Sequence, residues 1–253
     1  MAPNPAGVAL VTGAARGIGA ATARALSAVG MDVVLADVLD GHEVARSIGS
    51  RASFEFLDVT SLDGWIDVVA RTRHQYGPLR ALINNAGVLG FGSVETLSPE
   101  QFRRVVEVNL VGPFLGMHCA AESLRESGAG VIVNVSSTAG LMGYQNLAGY
   151  VASKWGLRGL TKAAALDLSG GHIRVCSIHP GPIRTPMTAG MDEAIAAGQP
   201  IARFGSPDEV AAMIRFIVTE ASYSTGAEFV VDGGAVTGSG IAVPMPVVAG
   251  HGH

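Results

Sequence analysis

The chain alternates short, nearly continuous apolar runs with longer stretches in which apolar residues recur every three or four positions. The short runs at 8–12, 32–36, 53–57, 81–84, 131–135, 174–178 and 228–231 read as strands. Because they are continuous rather than alternating, both faces of the sheet are expected to be covered. Helical periodicity occupies 18–29, 62–76, 99–126 and 148–168. The third stretch contains "GP" at 112–113, where proline removes an N–H from the ladder and a bend is expected. Strand–helix alternation of this kind predicts an α/β fold: one doubly wound, seven-stranded parallel sheet with helices on both faces. No linker or repeat divides the chain, so residues 1–253 read as one domain. Two segments break the rhythm. Residues 182–206, rich in Pro, Met and Gly, are expected to form a flap over a pocket. The apolar tail from Val236 lacks either periodicity.

Length and composition narrow the picture. A single domain of 253 residues can bury roughly three-quarters of its unfolded surface, so it needs neither disulfides nor structural metal. Charged residues make up 15%, against about 25% in ordinary globular domains; a sparse charge coat is what subunit contacts would produce. A net charge of −4 gives no basic footprint for nucleic acid. Cys119 and Cys176 read as buried free thiols in a reducing cytoplasm. The seven histidines show no metal-ligand spacing, so no metal is expected. With no charged-then-apolar leader and no apolar run of 18 or more, the chain reads as soluble, unexported and unattached to membrane.

Chemistry enters with "TGAARGIG" at 12–19, placed after a strand and before a helix. Gly13 permits a tight turn, while Gly17 and Gly19 let backbone approach a pyrophosphate at the helix N-terminus. The second strand ends in Asp37, 24 residues beyond Gly13, near the offset of about 20 expected for an acid on the adenosine ribose. That carboxylate would accept from a 2′-OH and repel a 2′-phosphate, favouring NAD over NADP. Arg16 pulls the other way if its guanidinium meets a phosphate. A second signal is "GYVASKWG" at 149–156. The chain has only two lysines, and one lies four residues after Tyr150, on the same helix face.

"TGAARGIG", "NNAG" (84–87), "VNVSS" (133–137) and "YVASK", with "HPGPIRTPM" and "VDGG", together resemble the short-chain dehydrogenase/reductase family over nearly the whole chain. "LADVLD", "GLMG" and "TPMT" are most similar to bacterial 3α/20β-hydroxysteroid dehydrogenases. The resemblance implies a Rossmann domain, a homotetramer built through the 99–126 and 148–168 helices, and a catalytic set of Asn109, Ser137, Tyr150 and Lys154. Taken singly, these read as a helix-bend asparagine, a strand-end serine and a helix-start aromatic; together they match the family's order.

Chemistry explains the Tyr–Lys pair. Free tyrosine titrates near pH ~10, about three units too high for an efficient acid–base group. Closing that gap takes roughly 4 kcal/mol, which one ammonium about 4 Å away supplies at an effective dielectric near 20. A pyridinium charge on oxidised cofactor would add to it. Lys154 is therefore expected to depress the Tyr150 phenol. By resemblance, Lys154 and Tyr150 also meet the nicotinamide ribose, and Ser137 holds the substrate oxygen.

Further cofactor positions carried over are Ile18 in the glycine turn, Asp58 and Val59 at the adenine, Asn85, Ala86 and Gly87 at the ribose, and Pro180, Gly181, Ile183 and Thr185 at the carboxamide. Asp58 reads equally as a helix cap. Expected substrate walls contribute Leu89, Phe91, Leu141, Met142, Met187 and Met191. These apolar, adaptable side chains suit a steroid or other hydrophobic ketone better than a phosphate or carboxylate. The expectation is an NAD(H)-dependent ketone/secondary-alcohol oxidoreductase. An NADPH-dependent 3-oxoacyl-carrier-protein reductase, with Arg103 and Arg104 as docking candidates, and a non-catalytic dinucleotide sensor are the rivals.

Overall fold

The computed structural model describes residues 6–238. The apolar stretch at 241–250 lies outside the described residues. Seven strands, β1 (Val8–Thr12), β2 (Asp32–Asp37), β3 (Ala52–Phe56), β4 (Leu79–Asn84), β5 (Val131–Val135), β6 (Arg174–Pro180) and β7 (Glu228–Val231), form one parallel sheet. Their spatial order is β3-β2-β1-β4-β5-β6-β7. The order reverses between β1 and β4, which opens a crevice at the carboxyl ends of those strands.

Strand residues alternate between two cores because successive side chains point to opposite faces. Ala9, Val11, Val33, Ile83, Val133 and Ile178 face one cluster, where they meet Leu26 of α1 (Gly17–Ala28) and Val210 and Ile214 of α7 (Pro207–Thr219). Val8, Leu10, Val34, Leu82, Ile132 and Val175 face the other. There they meet Trp65 of α3 (Leu62–Tyr76), Met117 and Leu124 of α5 (Gly112–Glu126) and Ala164 of α6 (Ala148–Asp167). The continuous apolar runs are thus buried on both sides, as the sequence pattern requires.

Two helices go beyond the sequence reading: α2 (His42–Ile48) and α7. α7 starts with a capping box in which the Ser206 hydroxyl accepts from Glu209 N and the Glu209 carboxylate accepts from Ser206 N. The expected bend at 112–113 takes a different form. Between α4 (Pro99–Val106) and α5 the chain widens into a π-helical turn, Glu107–Val111. Its cause lies one turn downstream: Pro113 has no N–H to give the carbonyl of Asn109, so the α-helical rung is absent by sequence.

The 182–206 segment is closed at its base by a bridge between Ile183 and Gly205. Arg184 N donates to Gly205 O at 2.9 Å and Gly205 N to Pro182 O at 2.9 Å. Ile201 N ties it to Gly233 O.

Candidate active site

At the crevice, the turn after β1 is locked to the loop after β4. Thr12 Oγ1 accepts from both Asn85 N and Ala86 N at 3.0 Å and donates to Ile83 O. The Asn85 amide returns the contact, donating to Thr12 O at 2.8 Å and Gly13 O at 3.1 Å. Glycine is obligatory in this knot. A Cβ on Gly13 (φ +63) would lie 2.8 Å from Ala86 Cα, and one on Gly19 would lie 2.2 Å from Gly13 O. Ile18 packs on the core, whereas Arg16 projects outward. The first turn of α1 carries neither an acidic residue nor a capping side chain. Its N–H groups and dipole therefore face the crevice beside Gly17 (φ +57), where an added Cβ would lie 3.5 Å from the Thr185 side chain.

The end of β2 places a carboxylate over this turn. Asp37 accepts from Ala15 N through Oδ2 and from Leu39 N through Oδ1, both at 3.0 Å. Asp58 is exposed and accepts from Thr60 N and Oγ1, while Ser61 caps α3 by accepting from Gly64 N. The capping alternative for Asp58 thus falls to Ser61. Val59 is buried against Gly112, and its carbonyl accepts from Trp65 Nε1 at 2.9 Å.

The structure brings Ser137, Tyr150 and Lys154 together at the end of β5. Ser137 caps a short 3-10 turn, Thr138–Gly140, its hydroxyl accepting from Ala139 N at 3.1 Å, and it lies close enough to Tyr150 to favour the phenolate. Gly140 lets this turn press on α6: a Cβ there would meet Ser136 Oγ at 2.6 Å and Lys154 O at 2.9 Å. Lys154 is buried, donates through Nζ to Val135 O at 2.8 Å, and lies 5.5 Å from the centre of the Tyr150 ring. A buried thread fixes α6 to the sheet below it. Asn84 Nδ2 donates to Asn134 Oδ1, and Asn134 Nδ2 donates to Thr161 Oγ1. The buried Asn109 side chain clamps the loop after β4, accepting from Val88 N at 2.8 Å and donating to Val88 O at 3.0 Å and Ser153 Oγ at 3.1 Å. Gly87 sits between: a Cβ there would be 3.3 Å from Asn109 Oδ1 and 3.7 Å from Lys154 Nζ.

One expectation is overturned. Burial raises the Tyr150 phenol above its ordinary value, and nearby Tyr144 pushes the same way, while the Ser137 hydroxyl only opposes them. Burial also lowers the Lys154 ammonium to about 8. Protein groups alone therefore leave the phenol raised rather than depressed, because burial outweighs the opposing effect of Ser137.

A family model described as enoyl-(acyl carrier protein) reductase matches residues 13–236. A trans-4-hydroxycyclohexanecarboxylate dehydrogenase of Sinomonas cyclohexanicum is 42% identical, covering 92% of this chain and 94% of its own. A 3-alpha-(or 20-beta)-hydroxysteroid dehydrogenase of Mycobacterium tuberculosis (strain CDC 1551 / Oshkosh) is 44% identical over 91% and 90%. A cyclohexanol dehydrogenase of Acinetobacter sp. (strain SE19) is 42% identical over 89% and 93%. The chain belongs to the short-chain dehydrogenase/reductase family. It is an oxidoreductase acting on secondary alcohol and ketone groups, with a nicotinamide dinucleotide as cofactor.

The dehydrogenase's crevice fits that cofactor: side-chain-free positions Gly13 and Gly19, an uncapped helix N-terminus and an acid at the end of β2 converge on it. At the expected substrate walls, a bridge between Gly92 and Leu147 joins the 88–92 and 141–147 segments. Leu89 and Leu141 are half-buried there, with Phe91 and Met142 exposed. Met187 and Met191 lie in the 182–206 segment, whose described hydrogen bonds run within the segment, to Gly233 and to Glu209 of α7, not to these two walls. Pro180 and Gly181 close β6, where Gly181 N donates to Val231 O and a Cβ on Gly181 would lie 2.8 Å from Asp232 Cα. Ile183 is buried, and Thr185 N donates to Thr188 Oγ1. Tyr144, whose hydroxyl pairs with Thr138 Oγ1 at 2.9 Å, is a cleft phenol that the sequence reading passed over. Cys176 is buried as expected, but Cys119 is only half-buried, lining a groove of about 290 Å³ between α3 and α5 that shares no lining residue with the crevice.

Proposed function

We propose that this enzyme is an NAD(H)-dependent dehydrogenase interconverting a hydrophobic, ring-bearing ketone and its secondary alcohol. The observation that carries this reading is the buried Lys154 ammonium 5.5 Å from the centre of the Tyr150 ring, with Ser137 beside the same phenol. When bound, the dinucleotide gives or takes the hydride. Gly13, Gly17, Ile18 and Gly19 would hold its pyrophosphate, Asp37, Asn85, Ala86 and Gly87 its adenosine ribose, Asp58 and Val59 its adenine, and Pro180, Gly181, Ile183 and Thr185 its carboxamide.

The chain's own part is proton chemistry. A substrate oxygen seated between the Ser137 and Tyr150 hydroxyls is oriented by both. As that oxygen gains negative charge, Tyr150 gives up its proton, and the cation of Lys154 favours the resulting phenolate. With Lys154 at about 8, it is largely cationic at neutral pH. Asn109 has its side chain committed to Val88 and Ser153, so its part in a proton relay would fall to its carbonyl, to which Pro113 has no N–H to give.

The apolar walls and the ring-alcohol relatives support the substrate class. Asp37 supports NAD and weighs against the NADPH-dependent carrier-protein reductase; a dinucleotide sensor would have no use for a buried lysine beside a phenol. Exposed Phe102, Phe114, Trp155 and Leu166 on α4, α5 and α6 support a homotetramer through those helices, and two unpaired cysteines support a cytoplasmic setting. The test is a panel of cyclohexanols, 4-hydroxycyclohexanecarboxylate, hydroxysteroids and 3-oxoacyl thioesters, each assayed with NAD(H) and NADP(H). Turnover of ring substrates with NAD(H) is expected. Turnover confined to thioesters with NADPH would overturn the reading.

A further inference from the structure

We infer that His179 is a positioning residue of this dehydrogenase: its imidazole, held as the neutral Nδ1–H tautomer, fixes the backbone of Ser137 so that the serine hydroxyl meets Tyr150. The inference rests on the proposed roles of Ser137 and Tyr150.

The reason begins with the sheet. At the end of the β5–β6 ladder Ser136 N donates to Ile178 O at 2.8 Å. The next rung would need an N–H from residue 180, which is proline, so the backbone ladder stops where Ser137 begins. A side chain takes over. His179 is fully buried, and its Nδ1 lies 3.0 Å from Ser137 O. A carbonyl only accepts, so Nδ1 carries the proton. The other ring nitrogen, Nε2, lies 2.9 Å from Ser177 Oγ and in the neutral ring accepts from that hydroxyl.

Both ring nitrogens are therefore used, and the ring cannot turn without losing two hydrogen bonds in a dry site. The charged groups around it are Glu228, Arg158 and Lys154; burial holds the imidazole below its ordinary value, with Arg158 and Lys154 acting in the same direction and Glu228 and the Ser137 carbonyl opposing. Ser137 O also accepts from Gly140 N at 2.9 Å, so the carbonyl is gripped from the turn on one side and from β6 on the other. Ser137 is extended (φ −173), and its hydroxyl direction is set by the peptide that these two donors hold.

His179→Leu removes the β6 grip, whereas His179→Asn offers an amide N–H near the position of Nδ1. Turnover is counted per dinucleotide-binding site, titrated by NADH fluorescence, so that loss of folded protein does not enter. His179→Leu is expected to lower kcat per site by about tenfold or more with the KM for dinucleotide unchanged, and His179→Asn to restore most of it. Wild-type kcat in the Leu variant, or equal losses in Leu and Asn, would overturn the proposal. Should the Leu variant not fold, ring ¹⁵N shifts of the wild-type protein decide: Nδ1–H neutral imidazole supports the proposal, and an Nε2–H tautomer or an imidazolium at neutral pH refutes it. Tyr150→Phe, run in parallel, separates failure of this proposal from failure of the Ser137–Tyr150 reading.

Discussion

The Lys154 ammonium lies over the Tyr150 ring, 5.5 Å from its centre, while donating at 2.8 Å to the carbonyl of Val135. A charge held this way is costly to bury, and that burial lowers its value from an ordinary 10.5 to about 8. The sign follows from proton counting. Between about 8 and 10.5 the unfolded lysine holds its proton after the folded one has released it, so this group's contribution to stability rises with pH through that window and is least below it.

Lys154→Met should accordingly separate stability from activity. At neutral pH the variant sheds a buried cation but leaves Val135 O without its donor, a loss of about 1–3 kcal/mol, so its denaturation midpoint should not fall. Its relative stability should then decline as pH is raised from about 8 toward 10.5. Turnover should drop about 10²–10⁴-fold. Chemical denaturation across pH, with kcat on the same samples, checks both; a strongly destabilised variant at neutral pH would contradict the burial argument.

Thr12 ties the turn after β1 to the loop after β4, the two loops proposed to hold the dinucleotide. Thr12→Val keeps shape but strands Asn85 N and Ala86 N, the two N–H groups that its hydroxyl accepts. We expect a stability loss of about 1–3 kcal/mol by urea denaturation, accompanied by weaker dinucleotide binding. Stability loss without any change in dinucleotide affinity would show that the loops hold their positions independently.

Asp37 should set the choice of dinucleotide. Its carboxylate is oriented by Ala15 N and Leu39 N, and in the proposed role it would repel a 2′-phosphate. Asp37→Ala should improve kcat/KM for NADP by about tenfold or more and weaken use of NAD, a change of at least about 1.4 kcal/mol in relative preference. Steady-state kinetics with both dinucleotides read it; unchanged selectivity would remove Asp37 from that role.

Much of this was legible in the chain. Strand positions followed from apolar runs that had to be covered on both faces, and each lies within two residues of its expected bounds or matches them. Tyr150, Lys154 and Ser137 converge because helix spacing and the end of β5 bring them together. α7 was readable too, since "SPDE" at 206–209 is a capping box with proline at the first turn. Other features depend on partners far apart in sequence. Thr12 with Asn85, Asn84 with Asn134 and Thr161, and His179 with Ser137 are tertiary hydrogen bonds that no local pattern announces. The raised Tyr150 phenol belongs with these: the Coulomb attraction could be sized from a spacing, whereas the desolvation opposing it required knowing the burial.

The central claim is that Tyr150 exchanges a proton with the substrate oxygen while the rest of the crevice binds the dinucleotide. Its most direct test is Tyr150→Phe, with NADH affinity measured by fluorescence and single-turnover ketone reduction on the same protein. The account predicts an affinity within about twofold of wild type and a hydride-transfer rate lower by about 10²–10⁴-fold. A variant that binds NADH normally and reduces ketone at the wild-type rate would contradict it.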